Sequence, residues 1–212
     1  MIAIIDVSGN NLTSLANALK QLGYDYQLTH DLDVVSNASH VIIPGVGAAH
    51  AGMQALHDYQ LIPVIKALKQ PVLGICLGMQ LLLEYSEEGN VDCLGLIPGI
   101  AKCLPRQKGY PVPHMGWNTL NWVRPSPLQD DLTNKDYVYF VHSFALEEQN
   151  HALAFCDYSI KFTAIVQRDN FYGMQFHPEK SATVGLRLLR NFLTIQSNAA
   201  TVGVLNETYS CD

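Results

Sequence analysis

Over the first 85 residues, short unbroken apolar runs alternate with amphipathic stretches. Residues 2–5 (IAII) form the first run, closed by Asp6, and read as a strand buried on both faces. Leucines at 12, 15, 19 and 22 mark one helical face, with Asn11 placed as N-cap and Gly23 as C-terminal stop. Residues 24–28 and 40–43 read as the second and third strands, the third running into Pro44-Gly45. A helical pattern over 51–69 is interrupted ahead of Pro63. Residues 72–75 are a fourth strand and 77–84 a helix. Such alternation implies βαβ units and a parallel sheet covered on both sides.

From residue 91 to 176 the pattern changes. Short β-like pieces dominate, at 100–104, 117–122, 137–141, 152–156, 162–167 and 171–176, separated by Pro- and Gly-containing loops. They predict antiparallel additions to the sheet edge. A last helix over 183–195 puts Val184, Leu188, Leu189, Phe192 and Leu193 on one face. The fold class expected is α/β, a three-layer open sheet with a parallel core and antiparallel additions. Residues 1–196 read as one domain, and 197–212, without periodicity, as a loosely ordered tail.

Composition narrows the functional classes. The chain has 212 residues, 48% of them hydrophobic, enough for one sizeable core. A formal charge of −6 with no basic run argues against nucleic-acid binding. The five cysteines (Cys76, Cys93, Cys103, Cys156 and Cys211) are odd in number and none is in C-x-x-C spacing. A disulfide framework or zinc site is not expected, and a reducing compartment is. The opening MIAIIDVSGN lacks a basic n-region and reads as a strand, not a signal peptide. No apolar stretch approaches the roughly 20 residues that cross a bilayer. The expectation is a cytoplasmic protein with no membrane partner.

Three segments carry chemistry. In VLGICLGMQ (72–80) a strand runs through Gly74-Ile75-Cys76-Leu77-Gly78 into a helix, the G-x-nucleophile-x-G elbow with cysteine as nucleophile. The turn is tight, so glycines flank it. The helix start favours a thiolate, and the Leu77 N–H is placed to stabilise an oxyanion. A lone cysteine on a sheet is more often a packed core residue; the strand–elbow–helix setting weighs against that. In QFHPEKS (175–181), His177 follows an apolar strand and Glu179 lies two positions on, across Pro178. A cysteine nucleophile needs a base, and the base an orienting group. A lone H-x-E is more often a solvated turn; the cysteine elbow reverses that preference. In IIPGVGAAH (42–50), two glycines at a strand end let backbone N–H groups approach a ligand. Val46 or Gly47 is the candidate second half of the oxyanion hole. A phosphate cradle fits less well without the P-loop lysine or a full G-x-G-x-x-G.

Together PGVG, GICLGMQ and QFHPEKS resemble the class I glutamine amidotransferases. PHMGWN (113–118), YFVHSF (139–144), LGLIPG (94–99) and NFYGMQFHPEKS (170–181) narrow this to the glutaminase subunits of imidazole glycerol phosphate synthases, over residues 1–195. The resemblance implies a Cys76–His177–Glu179 triad and an oxyanion hole from Gly47 and Leu77. It places glutamine against Gln80 and the backbone of Ser143 and Phe144. His114, Met115, Gly116, Trp117, Asn118, Tyr139 and Lys180 would lie at or near a cyclase subunit built as a (β/α)₈ barrel, the two forming a heterodimer. Ammonia would pass to that subunit, which makes imidazole glycerol phosphate and aminoimidazole carboxamide ribotide in histidine biosynthesis. It also implies that the PGVG strand is wrongly oriented until the partner binds its ligand, so that activity is gated, and that neither cofactor nor metal is needed. Two features depart from the family pattern. The loop DVSGNNL lacks the usual tyrosine–glycine pair, and Phe144 stands where tyrosine is frequent. The alternatives are a paralogous glutaminase feeding another synthase, a non-catalytic scaffold subunit, and a cysteine hydrolase of another substrate.

Overall fold

The computed structural model describes residues 1–7 and 12–196. The proposed cap at Asn11 and the tail 197–212 lie outside the described residues. In chain order the elements are β1 (Ile2–Ile5), α1 (Thr13–Gln21), β2 (Tyr26–Thr29), α2 (Leu32–Asn37), β3 (His40–Ile43), α3 (Ala49–Asp58), α4 (Leu61–Ala67), β4 (Val72–Ile75) and α5 (Leu77–Leu82). Short strands β5 (Tyr85–Ser86), β6 (Val91–Asp92), β7 (Ile100–Cys103), β8 (His114–Thr119) and β9 (Asn121–Trp122) follow. The chain ends with β10 (Tyr137–His142), β11 (Phe144–Leu146), β12 (Ala152–Asp157), β13 (Lys161–Arg168), β14 (Phe171–Met174) and α6 (Ala182–Leu193).

Eight strands form one sheet, ordered β2-β1-β3-β4-β14-β13-β12-β9. The first five are parallel and the last three antiparallel. Successive residues of β1 feed two cores: Ile2 and Ile4 meet α1 and α6, whereas Ala3 and Ile5 meet the layer built from α2, α3, α4 and α5. The three-layer α/β arrangement follows from that alternation, because a strand buried on both faces needs a helix layer on each.

The structure corrects several expectations. The β-like pieces after residue 91 do not all extend the main sheet. β14 joins it parallel to β4. β11, β7, β5 and β6 form a separate four-stranded sheet, and β8 with β10 a two-stranded ribbon. The stretch 117–122 is two strands, because Leu120 turns into the core and Asn121–Trp122 then pair with β12. α2 escapes the sequence pattern: six residues show no helical repeat, and its signal is Asp31, whose carboxylate accepts from the N–H groups of Asp33 and Val34. The helical stretch after residue 49 breaks at Gln60, in left-handed conformation (φ 56°). Pro63 is then the third residue of α4, where no N–H is required.

Candidate active site

Parallel pairing sets β3, β4 and β14 side by side, and each leads at its C-terminal end into one of the three sequence segments. Residues 44–47 follow β3, Cys76 follows β4, and Gln175-Phe176-His177 follow β14. Ligands of open α/β sheets bind outside the carboxyl ends of the strands, and three adjacent ends converge here.

The elbow glycines are dictated by backbone contact. A Cβ on Gly78 would lie 1.7 Å from the carbonyl oxygen of Ile43, and one on Gly74 would lie 2.5 Å from that of Gly78. The strained conformation belongs to Cys76 itself (φ 52°, ψ −107°), a backbone state that a non-glycine residue adopts only when its surroundings impose it. Cys76 is 7% exposed. Its N–H donates to Met174 O at 2.7 Å, tying the elbow to β14, and its Sγ lies 3.7 Å from Val141 O.

His177 heads a single 3₁₀ turn, Pro178–Lys180. Its N–H donates to Tyr139 O, and Ser181 Oγ donates to His177 O while accepting from Tyr139 N. The turn is thus fixed to β10. Nδ1 of His177 meets Glu179 Oε1 at 2.8 Å, with the histidine side chain 2% exposed and the glutamate 11%. With Nδ1–H donated to that carboxylate, buried Nε2, which has no hydrogen-bond partner of its own, is left for Cys76. Burial acts to lower the His177 pKa. Interactions with Cys76 and Glu179 outweigh it and hold the imidazole at about 9. At neutral pH it is an imidazolium beside the sulfur.

A cavity of about 270 Å³ opens over Cys76. Val46, Gly47, Leu77, Gln80, Ser143 and Phe144 line it, so the sequence-derived oxyanion and substrate residues share one space. Gly47 (φ 118°) has nothing within 4 Å of where a Cβ would stand, and Val46 is 41% exposed. A larger concavity of about 560 Å³, beside Lys66 and Arg168, contains no cysteine or histidine. Among the described residues no group of three or more His, Cys, Asp or Glu side chains could hold a metal ion.

Sequence reasoning missed several residues at the site. Glu88 lines the cavity, and its Oε2 accepts from Ala49 N at the start of α3; burial raises its pKa. His142 Nδ1–H donates to Phe144 O, so its Nε2 accepts from His114 Nδ1–H at 3.1 Å. Gln175 lies against Cys76. A glutamate in a loop has no motif of its own, and Gln175 opens the QFHPEKS segment without any sequence sign of its partners; only the folded chain brings them in.

His114 lies beneath the surface of the ribbon and does not itself present a face to a partner. It is 3% exposed and stacks on Tyr158, because alternation along β8 turns it inward while Met115 and Trp117 point out, 62% and 52% exposed. Asn118 is also engaged internally, its Nδ2 donating to Asp157 O. Tyr139 is half-buried beside Trp117, and Lys180 is exposed.

A family model described as "Glutamine amidotransferase class-I" matches residues 3–195. A protein of Legionella pneumophila subsp. pneumophila (strain Philadelphia 1), named imidazole glycerol phosphate synthase subunit HisH 2, is 63% identical over 197 residues, 93% of this chain and 99% of that one. The Haemophilus influenzae protein named imidazole glycerol phosphate synthase subunit HisH is 47% identical over 192 residues, covering 91% and 96%. Among solved structures, a protein described as a glutamine amidotransferase superposes with a TM-score of 0.68 at 17% identity, covering 91% of this chain and 96% of that one. That last likeness concerns the fold alone. The chain belongs to the class-I glutamine amidotransferase family and, within it, to the HisH subunits of imidazole glycerol phosphate synthase.

Proposed function

We infer that this chain is the glutaminase subunit of an imidazole glycerol phosphate synthase, with residues 1–196 as one glutamine amidotransferase domain. The observation that carries the mechanism is the placement of Cys76, which opens onto the cavity, and of the His177–Glu179 pair at adjoining strand ends. The Cys76 thiolate attacks the side-chain carboxamide carbon of glutamine. The oxyanion is stabilised by backbone N–H groups at Leu77 and Gly47. Imidazolium His177 gives its proton to the leaving nitrogen, the C–N bond breaks, and ammonia and a thioester result. His177, now neutral, takes a proton from water as it attacks the thioester; glutamate and the thiolate are released. Glu179 keeps Nδ1 protonated and the ring oriented throughout. Glu88, half-buried in the cavity wall, is a carboxylate suited to the substrate ammonium.

The partner is a cyclase subunit with a (β/α)₈ barrel, taking up ammonia in the cytoplasm. The ribbon supports this docking site: Met115, Trp117 and Tyr137 expose apolar surface on it, and its β10 strand holds His177 in place. No helix among the described residues is long and apolar enough to cross a membrane. A paralogous subunit serving another synthase is the second reading, since the more similar Legionella relative carries the numeral 2 and the Haemophilus one none. The test is glutamine hydrolysis with and without the cyclase subunit and its nucleotide substrate. We expect weak turnover alone and strong activation in the complex; equal rates would refute the gating. Cys76→Ala is expected to abolish turnover, and full activity in that variant would refute the triad.

A further inference from the structure

Gln175 lies between the end of β14 and His177, is wholly buried, and takes no part in the reaction as derived above. Its backbone N–H donates to Ala164 O, which fixes the chain, and its carboxamide lies between two groups of the site. Nε2 stands 3.8 Å from Cys76 Sγ. Oε1 accepts from Gln80 Nε2 at 3.3 Å, and the same Gln80 nitrogen donates to Phe144 O at 3.0 Å. Both amide hydrogens of Gln80 are therefore committed inside the protein. That chain of bonds also decides the orientation of the Gln175 amide. Reversed, it would set its oxygen against the sulfur and two NH₂ groups against each other. A carboxamide buried without using its hydrogens is costly. An N–H facing a neutral thiol is a weak bond, whereas one facing a thiolate is charge-assisted.

We propose that Gln175 is a positioning residue for the nucleophile: its Nε2–H donates to the Cys76 thiolate and its Oε1 fixes Gln80 in the cavity wall. This rests on Cys76 being the nucleophile. The bond is complete only when the sulfur carries negative charge, so Gln175 favours the attacking thiolate over the neutral thiol. The imidazolium of His177 then supplies the proton donor for the leaving group, and the amide of Gln175 keeps the sulfur aimed into the cavity.

The test is alkylation of the full-length protein by iodoacetamide at pH 7, with each cysteine followed separately by peptide mass spectrometry. Exposed Cys103 serves as the reference, and buried Cys156 reports folding, since it reacts only if the core opens. In Gln175→Met, Cys76 is expected to react about tenfold more slowly than in the parent, the scale of one lost charge-assisted hydrogen bond. Gln175→Glu is near-isosteric and keeps an acceptor for Gln80, but sets a carboxylate against the thiolate. It is expected to react more slowly still. In glutamine turnover the loss falls on kcat, with KM within about threefold because Gln80 keeps its bond to Phe144. Parent-like alkylation of Cys76 in either variant, with Cys156 still protected, overturns the proposal. If Gln175→Met exposes Cys156, Gln175→Glu decides alone. Turnover surviving Cys76→Ala would instead refute the triad, so the two failures are distinguishable.

Discussion

The residue on which the site turns is His177, because its charge state is set by two neighbours working against burial. Burial alone would leave it neutral; Cys76 and Glu179 hold its pKa at about 9. The expected observation is an imidazole resonance that titrates near pH 9 in labelled protein. The midpoint falls in Glu179→Gln and again in Cys76→Ala, because each removes one raising partner. A midpoint unmoved by Glu179→Gln would show that the carboxylate only orients the ring. Turnover in Glu179→Gln should fall at least about tenfold, since the imidazolium loses its charged partner and the wrong tautomer becomes accessible. The proposed triad was legible in the sequence: Cys76, His177 and Glu179 lie in short segments whose residue types and spacing suit that chemistry. Gln175 and Glu88 were not, because their roles depend on contacts with residues 99 and 39 positions away.

At the scale of elements, the core strands were legible because double burial makes them unbroken apolar runs. The ribbon was not, because β8 and β10 are buried on one face only and their alternation resembles that of a sheet-edge strand. The two glycine segments at the strand ends differ in kind, and substitution should separate them. Gly78 is required by packing: the carbonyl of Ile43 is backbone and cannot move aside. Gly78→Ala should cost about 2–3 kcal/mol, read as a lower urea midpoint, or prevent folding. Gly47 is required by conformation alone, with open space around it and φ at 118°. Gly47→Ala should cost about 1–2 kcal/mol of backbone strain, while glutamine turnover falls much further because the proposed oxyanion segment loses freedom to reorient. Equal stability losses in the two variants would contradict this division.

At the scale of the whole molecule, the ribbon is the piece joining the proposed catalytic edge to an exposed apolar surface, and its attachment is expected to be sensitive to acid. His114 and His142 face each other across β8 and β10 and pack against Phe140 and Phe162. His142 Nε2 is an acceptor in this arrangement, so protonating it would set two donors together at 3.1 Å. Burial lowers His142 to about 3, with the charges of His114 and His177 adding to the effect, and burial lowers His114 to about 4. Both titrate near 6.5 when unfolded, so the unfolded chain binds more protons between those limits. Their contribution is full above pH 6.5 and lost as pH falls towards 4 and 3. His177 acts in the opposite sense. Its raised pKa contributes fully below 6.5, and that contribution is lost as pH rises through about 9. Thermal stability should therefore be greatest near pH 6.5, and the two limbs can be assigned separately. His142→Asn should lower the melting temperature at pH 7 yet flatten its decline from pH 6.5 to 4, whereas Glu179→Gln should flatten only the alkaline limb. An acid limb as steep in His142→Asn as in the parent would place the sensitivity in the carboxylates and remove the histidine pair from the account. If the pair does carry it, acid should detach the ribbon before the central sheet melts, exposing more of Trp117 and Tyr139 while α6 stays intact. The measurement is tryptophan fluorescence followed against far-ultraviolet circular dichroism across the same pH range. The fluorescence change must come first, because the ribbon packs two buried imidazoles against Phe162 of β13, whereas the strands of the central sheet carry one, His40, half-buried at the start of β3 and bonded to Ile195 O.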